Sequence, residues 1–248
     1  MTIVAISPHL DDAALSASAS LSGAGATVLT VFAGMPPPGF QVSLWDRVTG
    51  ADSSAARQAE RLAEDGEVMR LLGARGCYLD EREAQYRETG SEPEAAQLAE
   101  KIAGYLIDAA EVWLPAAIGR NDDHIIVRDA GLTAARLVGC DSVVLFADFP
   151  YVITYGWPAS LSGKPDPYLD SEPWIAHELA AAGLPASVAT AEVIRLSPAQ
   201  RELKTKIINS YRSQATVLRL GPGDLAAEPQ KLDFELFWRL DLDGLGRS

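Results

Sequence analysis

His9, Asp11 and Asp12 place one imidazole and two carboxylates within four positions near the amino terminus. An imidazole nitrogen and a carboxylate three positions apart on a tight turn can reach one divalent cation, while the neighbouring carboxylate points past it at whatever else that ion holds. This is half of a zinc-hydrolase site. A second cluster, Asn121-Asp122-Asp123-His124, ends in another histidine, so two of the three histidines of the chain fall in these clusters. The third, His177, lies in Trp174-Ile175-Ala176-His177-Glu178-Leu179, an expected amphipathic helix where a lone histidine is ordinarily structural or solvated.

Both clusters stand where an apolar run gives way to helix-tolerant residues. Thr2 to Ile6 stops at Ser7-Pro8, small residues from Ala13 to Ala24 follow as a helix, and Val112-Trp113-Leu114-Pro115 precedes the second cluster and a helix from Ile125 to Leu137. In a parallel sheet such turns are the carboxyl ends of strands, where ligands bind. If the two strands are central neighbours, His124 completes a His-Asp-His set with His9 and Asp12 and leaves a coordination position open for water. Further strands are expected at Ala26–Ala33, Gly76–Leu79, Ser142–Ala147 and Ala189–Leu196, with helices from Asp52 or Ser53 to Leu72, Ser91 to Ala110 and Ser197 to about Leu218. Phe234 to Leu240 alternates like an edge strand. Alternating strands and helices predict an α/β fold, a Rossmann-like mostly parallel sheet with helices on both faces, in a single domain spanning 1–248.

Two stretches resist regular assignment. Gly34 to Gly50, with Phe40 and Trp45, reads as a long loop leaving a strand's carboxyl end, either lining a site or anchored by a buried Trp. Tyr151 to Trp174 is rich in Tyr, Trp, Pro and Gly, either an aromatic wall over a pocket or a cover for a sheet edge; the region 151–190 is expected to cover the pocket. Trp45 and Tyr151 are accordingly candidate substrate-binding residues. Arg61, Glu64 and Asp65 read as a solvated helix face with i,i+3 pairing.

Pro8-His9-Leu10-Asp11-Asp12 resembles the first motif of the LmbE-like, or PIG-L-type, zinc-dependent N-deacetylases, which usually carry Pro where this chain has Leu10. Asn121-Asp122-Asp123-His124 is similar to the family's second motif, H-x-D-H, with Asn121 where the family has a histidine thought to assist the reaction. An R-x-x-E helix ending in Leu-Gly is common in the family, and the resemblance implies a site-bordering role for Arg61 and Glu64, with Arg61 a substrate-binding candidate. Lys206, Tyr211, Ser213 and Gln214 resemble its late K-x-x-x-x-[HY]-x-S-Q signature. The resemblance implies Zn²⁺ held by His9, Asp12 and His124, Asp11 as general base, and Asp123 as an orienting partner. Asn121 donates a hydrogen bond but carries no proton at neutral pH, so it aids the developing oxyanion rather than the acid step.

The net charge of −13 argues against a broad nucleic-acid or anionic-membrane surface. Cys77 and Cys140 lack the paired spacing of a metal site and read as buried reduced thiols. No secretory signal or membrane-spanning run is legible, which sets a cytoplasmic expectation. The expected function is zinc-dependent hydrolysis of an N-acyl, above all N-acetyl, amide of an amino sugar or glycosylated small molecule. A catalytically altered, metal-binding member acting as a binding protein is the alternative. A nucleotide-binding Rossmann protein is disfavoured, since the first turn has no G-x-G-x-x-G and sets two carboxylates where pyrophosphate needs backbone amides. Oligomeric state is not legible.

Overall fold

A computed structural model describes residues 2–152, 171–214 and 232–241. The aromatic stretch beyond Val152, the loop from Pro222 to Pro229 and the acidic tail lie outside the described residues. Four short apolar runs form β1 (Ile3–Ser7), β2 (Thr27–Thr30), β4 (Glu111–Pro115) and β5 (Ser142–Phe146), each almost wholly buried, as parallel strands covered on both faces must be. With β3 (Arg75–Tyr78), β6 (Ala189–Arg195) and β7 (Phe234–Asp241) they make one seven-stranded sheet in the order β3-β2-β1-β4-β5-β7-β6. β1 pairs in parallel with β2 and with β4, so the strand order reverses at β1 and opens the crevice in which such sheets bind ligands.

Helices α1 (Asp12–Ser16), α2 (Ser18–Leu21) and α4 (Ser54–Leu72) pack with α8 (Pro198–Ser210) on one face, and α5 (Ala95–Leu106) and α6 (Asp122–Val138) pack together on the other. α4 runs as its signals predict, from a Ser53 side chain that accepts the Ala56 N–H to Gly73 in the left-handed conformation, φ 66°. α7 (Ser171–Ala181) carries His177, which is exposed. Among the described residues no helix is long and apolar enough to cross a membrane.

Several expectations need correction. The helix after the first motif breaks at Ala17, φ −132°, because Ser16 and Ser18 spend their hydroxyls on the distant Phe149 N–H and Glu235 carboxylate. The Gly34–Gly50 stretch is not all loop: Ser43 accepts the Asp46 N–H and starts α3 (Leu44–Val48). α5 begins at Ala95 instead of Ser91, with no capping bond from the Glu94 side chain, and α8 ends at Ser210, short of Leu218. β7 is an internal strand, antiparallel to both β5 and β6 and buried on both sides through Glu235–Trp238; β6 is the edge. Cys77 and Cys140 are free thiols, half-buried instead of fully buried.

Candidate metal centre

The first motif is a turn tied at both ends. Ser7, the last residue of β1, donates its hydroxyl to the His9 carbonyl at 2.6 Å and accepts the Ala13 N–H at 3.0 Å. Asp12 Oδ2 accepts the His9 backbone N–H at 2.8 Å, which turns the carboxylate back over the imidazole. Asp11 stands at the N-cap position of α1 yet makes no capping hydrogen bond, so its carboxylate is not consumed in holding the helix.

The second motif leaves β4 through a strained turn in which Ala117 and Arg120 both adopt positive φ, 66° and 55°. The strain aims the next backbone amide, since Ile118 N–H donates to Asp148 Oδ2 at 2.9 Å. Asn121 caps α6 by accepting the Asp123 N–H at 2.9 Å, and one turn of helix then carries His124 inward, where it is fully buried.

These two turns meet. His9, Asp12 and His124 each offer a ligand atom, all within 4.8 Å of one another. Asp12 Oδ2 lies 3.1 Å from His9 Nδ1 and 3.3 Å from His124 Nε2. The opposite nitrogen of each ring is held by a carboxylate: His9 Nε2 by Asp123 Oδ2 at 3.0 Å, and His124 Nδ1 by Asp148 Oδ1 at 2.6 Å. Such bonds fix ring orientation and tautomer at metal sites. Asp123 is braced in turn, accepting the Ala84 N–H at 3.0 Å and an Arg87 Nη2 bond at 2.6 Å.

The electrostatics follow from that crowding. Burial alone would raise the Asp12 carboxyl, but the imidazoles of His124 and His9 hold it far below the ordinary range. Burial would likewise lower the imidazoles, yet Asp12 and Asp148 lift His124 to about 9, and Asp12 and Asp123 lift His9 well above its usual value. Asp11 is pushed up to about 6 by burial and by Asp12, against the pull of Arg61 and His9. The cluster thus demands positive charge between its carboxylates, from protons or from a cation.

A divalent ion fits. Among the described residues His124 Nε2 is buried without a hydrogen-bond partner, although buried polar atoms are nearly always satisfied, and it faces Asp12. Two imidazole nitrogens and one carboxylate oxygen are the three-ligand set of a catalytic zinc site with a position left for solvent or substrate.

The remaining sequence candidates lie around this centre at different distances. Arg61 and Glu64 are buried, not on a solvated face: Arg61 pairs with Glu83 and with Gln58, while Glu64 accepts from Ser213. Tyr151 stands edge-on to His124, ring centroids 5.4 Å apart, and its hydroxyl accepts from Asn121 Nδ2 at 3.3 Å. Trp45 is on α3, 43% exposed. Lys206 is a surface residue paired with Glu202 at 2.7 Å; the buried lysine of that helix is Lys204, held by Glu235 at 3.3 Å. Sequence reasoning missed Asp148, Glu83 and Arg87. Their signal was placement, for Asp148 follows β5, and Glu83 and Arg87 lie in the charged connection after β3.

The fold is that of solved deacetylases, as the resemblance to the LmbE-like, PIG-L-type family implied, and His9, Asp12 and His124 come together in it. A triple mutant of a deacetylase in the teicoplanin biosynthetic pathway aligns over 96% of this chain and 97% of its own, with a TM-score of 0.75 and 25% identity. The A40926 pseudoaglycone deacetylase aligns over the same shares, 96% and 97%, with a TM-score of 0.70 and 27% identity. The N,N'-diacetylchitobiose deacetylase of Pyrococcus horikoshii shares the fold at 15% identity, with a TM-score of 0.53 over 100% of this chain and 86% of its own. No family model and no curated protein sequence matches the chain.

Proposed function

We propose that this chain is a zinc-dependent hydrolase that removes an N-acyl group, above all N-acetyl, from an amino sugar or a glycosylated small molecule. The carrying observation is the buried His124 Nε2, without a hydrogen-bond partner among the described residues and facing Asp12 and His9, with both imidazoles braced by carboxylates. The similar deacetylase of the teicoplanin biosynthetic pathway and the A40926 pseudoaglycone deacetylase support the substrate class.

In this reading His9, Asp12 and His124 hold the ion, which when bound polarises the amide carbonyl and acidifies water. Asp11 takes the proton from the attacking water. Asp11 then returns the proton to the departing amine. Asp123 orients His9, and Asn121 acts at the carbonyl side. Arg61, Trp45 and Tyr151 are assigned to the substrate, and 151–190 to covering the pocket of a single domain spanning 1–248. A second reading, metal binding without turnover, draws on Asn121 in place of the family histidine.

The test pairs metal analysis with acetate release from N-acetyl amino sugars and glycosylated N-acyl compounds. Stoichiometric zinc, turnover abolished by a chelator and restored by zinc are expected. Asp11→Asn retains metal and loses roughly 10²-fold or more of kcat, the range for a positioned general base. Bound metal with no turnover on any acyl amide selects the second reading.

A further inference from the structure

We infer that Tyr151 is a catalytic hydrogen-bond donor to the substrate carbonyl oxygen, and that Asn121 is the positioning residue that frees its proton for that purpose. This rests on the hydrolase reading above and replaces direct action by Asn121 with action through a second side chain.

The cap of α6 fixes which way the Asn121 amide faces. Its Oδ1 is spent on the Asp123 N–H at 2.9 Å, the cap that starts α6, so its Nδ2 is the group turned toward Tyr151 Oη at 3.3 Å. An amide NH₂ only donates. Tyr151 Oη is therefore the acceptor in this pair, and its own O–H has to point elsewhere. Among the described residues no other hydrogen bond to that hydroxyl is formed.

The ring places the hydroxyl where such a proton is useful. Tyr151 is edge-on to His124 at 81° between planes, and the hydroxyl lies in the electrostatic reach of Asp12 and Asp11. When water adds to an acyl amide, the carbonyl π bond breaks and its electron pair passes to oxygen. A donor already aimed at that oxygen tightens its bond as the charge grows and releases it when the C–N bond breaks; no proton leaves the phenol. A preorganised donor of this kind is worth about 10²–10³ in kcat. A histidine at 121 could approach the substrate itself, whereas the shorter Asn121 is held by its cap and reaches only the phenol.

The experiment measures kcat, KM and bound zinc on one N-acetyl amino sugar for the wild type, Tyr151→Phe, Asn121→Asp and the double variant. Tyr151→Phe keeps the ring against His124, so metal content is expected to hold while kcat falls roughly 10²-fold, with KM changed by less than about 3-fold. Asn121→Asp keeps an acceptor for the α6 cap but offers the phenol an acceptor instead of a donor, drawing its proton away from the substrate. A comparable fall in kcat is expected, and the double variant falls no further than the worse single, as residues acting through one group do. An active wild type whose Tyr151→Phe variant keeps kcat within about 3-fold overturns the inference, as does activity lost only in proportion to zinc. Additive losses in the double variant overturn the assignment of Asn121. A wild type inactive on every acyl amide overturns the hydrolase reading itself, a result distinct from the others.

Discussion

His9 and His124 are mirror cases of one device, an imidazole whose outward nitrogen is bonded to a carboxylate so that the inward nitrogen faces Asp12. For His124 the device is tightest, because Asp148 is wholly buried and its second oxygen is occupied by the Ile118 N–H. Asp148→Asn keeps an acceptor for that N–H but turns an NH₂ toward His124 Nδ1. The ring must then present a lone pair to Asp148's position and carry its proton on Nε2, the atom that has to meet the ion. Zinc affinity is expected to fall about 10–100-fold, read by chelator competition with the folded state checked by circular dichroism. An unchanged affinity would show that Asp148 only fills space. The convergence of His9, Asp12 and His124 was legible in the sequence because histidine, present only three times, stands beside aspartates at the mouths of two apolar runs. Asp148 was not, since a lone aspartate after a strand is common and its partner lies 24 residues away along the chain.

At the scale of elements, the centre depends on how closely the exits of β2 and β3 approach each other. Gly34 N–H donates to the Glu81 carbonyl at 2.8 Å, and a Cβ on Gly34 would stand 2.7 Å from the Asp80 oxygen and 2.8 Å from that of Glu81. Backbone oxygens cannot step aside as a side-chain tip can. The segment pinned there supplies Glu83 to Arg61, and the Ala84 N–H and Arg87 to Asp123. Gly34→Ala is therefore expected to cost about 1–3 kcal/mol in urea unfolding, the range for overpacking, and to loosen zinc binding through Asp123 and His9. Gly66 in α4 has open space around a Cβ, so Gly66→Ala should stabilise by about 0.5–1 kcal/mol and leave zinc binding alone. Equal effects from the two alanines would remove the steric argument. Runs of apolar residues, Ser53, Gly73 and Ser197 made most element boundaries readable. The placement of β7 was not readable, because which strand lies beside which is decided by long-range packing that no local pattern carries.

Across the whole molecule, α8 and the residues after it are fastened to α4 by buried polar contacts between segments far apart in sequence. Ser213 donates to Glu64 at 2.7 Å, and Asp65 accepts the hydroxyls of Tyr211 and Tyr78, both at 2.8 Å. The late Tyr-x-Ser-Gln signature reads in three dimensions as a clasp, a role invisible without knowing that α4 lies beneath it. Burial lifts the Asp65 carboxyl to about 7 despite both tyrosine bonds. In the unfolded chain it titrates near 3.9. Between those values the folded state holds a proton the unfolded state has lost, so the contribution of Asp65 to stability is greatest below about pH 4, declines as pH rises, and levels off above pH 7. The decline approaches roughly 1.4 kcal/mol per pH unit in the middle of that window. Asp65→Asn cannot titrate and removes it. Urea unfolding at pH 5, 6, 7 and 8 should therefore show the wild type losing stability relative to Asp65→Asn from pH 5 to 7, with little further divergence at pH 8. Parallel profiles for the two proteins would mean that Asp65 is ionised in the fold throughout, and that the clasp is an ionic contact instead of a neutral one.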